Sequence, residues 1–279
     1  MSLLNSEEIK KMKLKSIPLE GLQKLCDTAG LDNKGNSTEI IKRLINNRNI
    51  TDDVIDGFIK KQYKILISER QKLISDDDLI KELKKVKNYS WNIVQGQLDQ
   101  KIQEEYTRKF FNYDELLANV KKKLYDDITS YVICTWYNHL TTVLIEEHIA
   151  QHPKVVPALK KIKGLDIFFD GQPFDLKITY LPKEYSLSDA INNPKKLARW
   201  MYEHQGSQRF GADNRLLVVL ANKNNIEDSW KLKRDFQTIF KEIDKFLTSS
   251  LVTKNDEVAF SFNGKSYKTL AKVLLITKT

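Results

Sequence analysis

Apolar positions in the first 150 residues recur at helical spacing. After residue 165 they gather into short unbroken runs separated by turn residues, which predicts a helical first half followed by an α/β second half. Leu19, Leu22, Leu25 and Cys26 follow Pro18 on one helical face, Gly30 stands where a helix would close, and Ser37 or Thr38 can cap a second helix carrying Ile40, Ile41, Leu44 and Ile45. Residues 50–130 keep helical periodicity but are densely charged, and their lysine runs read as solvated faces. A long helix rich in aromatics is expected over residues 128–151, ending near Pro153. Two β-prone runs, residues 165–169 and 174–180, then flank Asp170-Gly171-Gln172-Pro173, a hairpin signal. A helix over residues 186–205, a buried strand over 215–221 and a helix over about 227–247 follow. The chain closes with strands around an Asn263-Gly264 turn and a final apolar run at 273–276. That order predicts a mixed central sheet flanked by helices.

Composition narrows the class. The 279 residues are 41% hydrophobic and 30% charged with ten glycines and six prolines, as in an ordinary globular protein. The formal charge of +9 and a pI near 9.2 favour an anionic partner, of which nucleic acid is the commonest. Cys26 and Cys134 form no C-x-x-C, and the N-terminus lacks a basic-then-apolar leader. No eighteen apolar residues run together, so a cytoplasmic protein with no membrane partner is expected. No Gly-rich phosphate loop, G-x-S-x-G or Rossmann fingerprint is present. His148 and His152 share an i, i+4 spacing but lack a third ligand in the sequence nearby, so zinc is disfavoured.

The candidate chemistry sits in the hairpin. Asp166, Asp175 and Lys177 fall on one face if the loop holds two residues, which sets Asp166 opposite Asp175, or four, which sets it opposite Lys177. Two carboxylates on an otherwise apolar hairpin call for neutralisation. Mg²⁺ suits them, with a lysine nearby to orient water for attack on a phosphate.

The spacing of Asp166 from Asp175-Leu176-Lys177 resembles the PD-(D/E)XK nuclease superfamily, with Leu165 where a proline often stands. That resemblance implies a restriction-endonuclease-like α/β domain. Asp166, Asp175 and the Leu176 carbonyl would bind metal there, with a further carboxylate from Glu146 or Glu147 on the preceding helix and Lys177 as the catalytic lysine. It also suggests Gln205, Gln208 and Arg209 as DNA contacts.

The run Leu14, Ile17-Pro18-Leu19, Leu22, Leu25, Ala29-Gly30-Leu31, Lys34-Gly35-Asn36 and Glu39 to Leu44 resembles a SAP domain, a small helical DNA-binding module. On that resemblance Lys34, Lys42 and Arg43 would contact DNA. The expected division is a SAP-like domain at 1–50, a helical connecting region at 51–125 and a nuclease domain at 126–279. The function expected is that of a Mg²⁺-dependent type II restriction endonuclease acting on double-stranded DNA. A structure-specific repair or recombination nuclease, or a non-catalytic SAP-type DNA-binding protein, stands as the alternative. Cutting a palindrome on both strands commonly uses a homodimer, and a separate cognate DNA methyltransferase would protect the host DNA.

Overall fold

The computed structural model describes residues 3–89, 95–206 and 210–278, and shows an α/β protein built on an open, mixed six-stranded sheet. Contacts divide the chain into two compact units. One comprises residues 1–73 with 145–279, the other residues 74–144.

The larger unit begins with three short helices, α1 (Ser6–Lys15), α2 (Leu19–Thr28) and α3 (Ser37–Asn46), followed by the long α4 (Asp52–Leu73). Asn5 and Asn36 begin α1 and α3 through reciprocal caps, each taking a backbone N–H three residues on while Glu8 or Glu39 reaches back. After α2 the chain turns at Gly30, whose φ of +65° is a left-handed conformation that glycine adopts without steric cost.

The smaller unit is helical. It holds α5 (Asp76–Lys84), α6 (Gln95–Lys101), α7 (Tyr113–Asn119), two single π-helical stretches and the first part of α8 (Tyr125–Gln151). Lys101 and Asp127 form a part-buried ion pair of 2.6 Å within it.

The sheet runs in the order β1 (Val155–Ile162), β2 (Leu165–Phe169), β3 (Gln172–Tyr180), β4 (Arg215–Asn222), β6 (Lys265–Lys278) and β5 (Glu257–Phe262). Its first three strands are antiparallel, β3, β4 and β6 are parallel, and β5 returns antiparallel to β6. Between β3 and β4 come α9 (Leu187–Asn192) and α10 (Pro194–Glu203), and between β4 and β5 come α11 (Ser229–Leu232) and α12 (Phe236–Ser249). The strand β4 is buried along nearly its whole length, as a strand paired on both sides and covered on both faces must be. Leu217, Val219 and Ala221 join Leu197, Ala198 and Tyr202 in one core, and α12 packs against β6.

The strand β1 lies beyond the sequence-based expectation. It holds Pro157, which lacks an N–H and therefore suits a sheet edge, and its pairing with β2 shifts register between Pro157 and Ile162. The expected runs after Asn263-Gly264 form one continuous strand, β6.

The hydrophobic core is continuous across residue 50, where a domain boundary was expected. Leu14, Leu22, Leu25, Ile40 and Leu44 of the first three helices pack in one cluster with Ile55 and Ile59 of α4 and with Val156, Leu165 and Phe168 of the sheet. Isolated short helices are marginal in water, so this apolar contact is what holds α1–α3 in place. Among the described residues no helix is long and apolar enough to cross a membrane.

Because Leu14 is fully buried in that shared cluster, Leu14→Ala is expected to lower global stability by about 2–5 kcal/mol. Native-state hydrogen exchange at the β4 amides should report the same loss; unchanged protection there would mean that the helices unfold separately.

Candidate active site

A two-residue Asp170-Gly171 loop joins β2 to β3, with φ of +49° and +75°, the left-handed pair that a type I′ hairpin turn requires. The pairs Phe169↔Gln172, Phe168↔Pro173 and Ile167↔Phe174 follow, and continuing this register places Asp166 opposite Asp175. Of the two loop lengths open from the sequence, the shorter is the one adopted. Beyond Phe174, β3 changes partner: Asp175 N–H donates to Asn214 O at 2.8 Å and Asp175 becomes the register partner of Arg215. The carboxylate of Asp166 takes the place of the missing ladder bond, Oδ2 accepting from Leu176 N–H at 2.8 Å.

The Asp175 carboxylate is buried at 9% exposure and lies between two cations. Lys177 Nζ donates to Oδ1 at 2.7 Å, and Arg215 Nε stands 3.4 Å from Oδ2, within ion-pair range but without hydrogen-bond alignment. Arg215 is itself fixed, with Nη2 donating to Gln205 Oε1 at 2.8 Å and its guanidinium 4.6 Å from the Tyr202 ring centre.

Asp166, Leu176 and Glu146 line a cavity of about 340 Å³ together with Tyr63, Lys160 and Lys161. Glu146 and Glu147 are adjacent on α8, so they point about 100° apart around the helix. Glu147 turns to Arg70 of α4, whose Nε donates to Oε1 at 3.1 Å while Nη2 engages Oε2. Glu146 is the one that faces the cavity.

Electrostatics mark this cavity out. Burial, reinforced by the charge of Asp166, pushes the Glu146 carboxyl up to about 7, with Lys233 and Lys177 opposing. Asp166 is raised too, first by desolvation. The Leu176 N–H works against the shift, while the charge of Asp175 and a side-chain hydrogen bond with it work in its favour. Burial likewise holds Lys233, only 1% exposed, down to about 7, opposed by the Glu146 carboxylate. The hydroxyl of Tyr63 is shifted upward by burial and by Glu147, Glu146 and Asp166, so it remains a proton donor at neutral pH. Such displaced, mutually facing groups in a cleft are typical of functional sites.

Asp175 already has two cations, whereas Asp166 and Glu146 form no ion pair among the described residues. Among the described residues no three His, Cys, Asp or Glu side chains are gathered closely enough to hold an ion by themselves. Two carboxylates completed by water and a carbonyl are the usual environment of Mg²⁺, so these donors fit that ion better than zinc.

The other expected residues are distributed as follows. Arg43 binds the loop between α2 and α3, donating to Asp32 O at 3.1 Å and to Lys34 O, and pairs with the Asp32 carboxylate at 3.5 Å. Lys34 is exposed on that loop and Lys42 is exposed on α3. Gln205 braces its own loop through reciprocal hydrogen bonds with Gly211, of 3.1 and 3.2 Å. Gln208 and Arg209 lie outside the described residues. His148 stacks on Phe240 and bonds Asp244 at 2.8 Å, and His152 meets Thr248 at 3.3 Å, so both are engaged by α12.

Sequence reasoning singles out neither Tyr63 nor Lys233, and Arg215 enters only as the first residue of the expected strand over 215–221. The one available signal was a charged residue opening or closing an apolar run: Arg215 before Leu216, and Lys233 after Leu232. No family model, curated protein or solved structure matches this chain.

A carboxyl raised from 4.5 to about 7 on folding costs the folded state nothing below the unfolded value and destabilises it progressively as pH rises through the folded one. Glu146→Gln is therefore expected to leave stability near pH 4 unchanged and to raise it at pH 8 by about 1–2 kcal/mol, after allowance for partial solvent access. Urea unfolding at the two pH values checks this; equal effects at both would contradict it.

Proposed function

We propose that this chain is a Mg²⁺-dependent endonuclease that hydrolyses phosphodiester bonds of double-stranded DNA. Its sheet would be of the restriction-endonuclease-like PD-(D/E)XK type, and α1–α3 would serve as a SAP-like DNA-binding unit. The observation that carries the reading is the convergence of Asp166, Asp175, Lys177 and Glu146 near the point where β3 changes partner, beside a cavity lined by Asp166 and Glu146, neither of them in an ion pair among the described residues. Support also comes from the basic balance of the chain.

In this reading Asp166, Asp175, the Leu176 carbonyl and Glu146 are the groups that would hold Mg²⁺. When bound, the ion supplies Lewis-acid neutralisation of phosphate charge and acidifies water. Lys177, half-exposed and 2.7 Å from Asp175, would orient the attacking water and offset the charge that builds on the phosphorane. Arg215 holds Asp175 from behind, and its anchoring by Gln205 and Tyr202 fixes that carboxylate before substrate arrives. Glu147, neutralised by Arg70, positions α8 against α4 and takes no part in the chemistry. Sequence-specific restriction is the form of the activity we assign. A compact catalytic domain carrying its own binding helices suits it, by analogy rather than by geometry.

Incubation with unmethylated phage DNA should give discrete fragments only with Mg²⁺. Asp175→Ala and Lys177→Ala should each lower the cleavage rate by about 100-fold or more while leaving DNA affinity within a few-fold, and Glu147→Gln should still cut. Cleavage confined to branched substrates would move the assignment to a repair nuclease. Retained binding with no cleavage under any metal would overturn the enzymatic reading.

A further inference from the structure

A second cavity, of about 540 Å³, lies on the N-terminal helices. Lys11 and Lys15 of α1, Lys42 of α3 and Lys160 of β1 line it, over a floor that includes Ile41, Ile45 and Ile162. All four lysines are exposed, and among the described residues none of them is in an ion pair. Lys13, on the same helix as Lys11 and Lys15, is by contrast buried and neutralised by Asp56 at 2.7 Å. The arrangement is fixed by the backbone: Ser16 O, at the end of α1, accepts N–H bonds from both Leu159 and Lys160, at 3.0 and 3.1 Å, which pins β1 beside Lys15. Lys160 lines this groove and the carboxylate cavity alike, and Lys161 next to it lines the latter.

We propose that the lysine-rimmed groove carries the sugar-phosphate backbone of the DNA strand that enters the carboxylate site, with Lys160 as the link between the two. This rests on the nuclease reading and adds to it the path of the substrate. Uncompensated ammonium groups from three separate elements attract a polyanion. Their apolar floor suits the C–H faces of deoxyribose, and continuity with the Asp166 cavity favours a nucleic-acid strand over an acidic peptide or a lipid headgroup. The contact surface is thereby moved from the loop between α2 and α3, where Arg43 is occupied in holding the loop together, to the side where α1, α3 and β1 meet.

The test is fluorescence anisotropy of the full chain with a fluorescein-labelled random duplex over a range of KCl, in EDTA so that cleavage is blocked. Each phosphate contact contributes about 0.9 to the slope of log affinity against log salt. Lys15→Gln/Lys42→Gln/Lys160→Gln should therefore weaken binding at least about tenfold and flatten the slope by about 2–3, and Lys160→Gln alone by about 1. Lys254→Gln and Lys265→Gln, beside β5 at the opposite edge of the sheet from β1, should bind like the unaltered protein. If the unaltered protein binds and cuts DNA while the triple variant matches it in affinity and slope, the groove is overturned and the nuclease reading stands. If the unaltered protein binds no duplex, both fall.

Discussion

The site depends on one change of partner. Through Phe174 the strand β3 is the second arm of a tight hairpin; from Asp175 onward it is a parallel neighbour of β4. At the crossover the ladder of the hairpin stops, and the N–H of Leu176, which would otherwise be orphaned at the edge of the cavity, is taken by the Asp166 side chain. A buried backbone donor must find an acceptor, so the position of Asp166 is a consequence of sheet topology. Asn214 holds the other side. Its carbonyl accepts from Asp175, its amide donates to Pro173 O at 3.0 Å, and its Oδ1 accepts from Thr269 Oγ1 and Leu270 N, which ties β3, β4 and β6 together where β4 begins.

The charge distribution around this crossover is deliberately uneven. Asp175 lies between Lys177 and Arg215, whereas Asp166 and Glu146 line a cavity edged by Lys160 and Lys161 and form no ion pair among the described residues. Desolvating carboxylates that no cation pairs with is costly, and protonation or an added cation reduces that cost. A divalent ion at this point would relieve the repulsion that folding creates. The local electrostatics and the proposed chemistry therefore point to the same atoms.

The N-terminal helices and the sheet are joined by an apolar core that runs from Leu14 and Leu22 to Leu165 and Phe168. This sharing puts Ser16 against β1 and so brings the basic side of α1 and α3 next to the cavity. On the proposed reading, a module attached through a flexible linker would bind the same polyanion without holding it in register with the carboxylates.

The hairpin was legible because its determinants are local: Asp-Gly supplies the left-handed turn, and period-two alternation then fixes which side chains share a face. The helix carrying Glu146 and Glu147 was legible for the same reason, yet its broad apolar arc left both glutamates eligible until Arg70, 77 residues away, claimed one of them. The strand β1 escaped notice because Pro157 and a lysine pair mask its alternation, and only pairing with β2 makes it a strand. Arg215, Lys233 and Tyr63 could not be assigned from pattern, since a lone charge or hydroxyl beside apolar residues says nothing about what it will face. Local sequence thus determined the turn, the shared face and the order of elements. Only the tertiary structure decided which charges meet, because partners distant in the chain are selected by packing and by the need to satisfy buried polar groups.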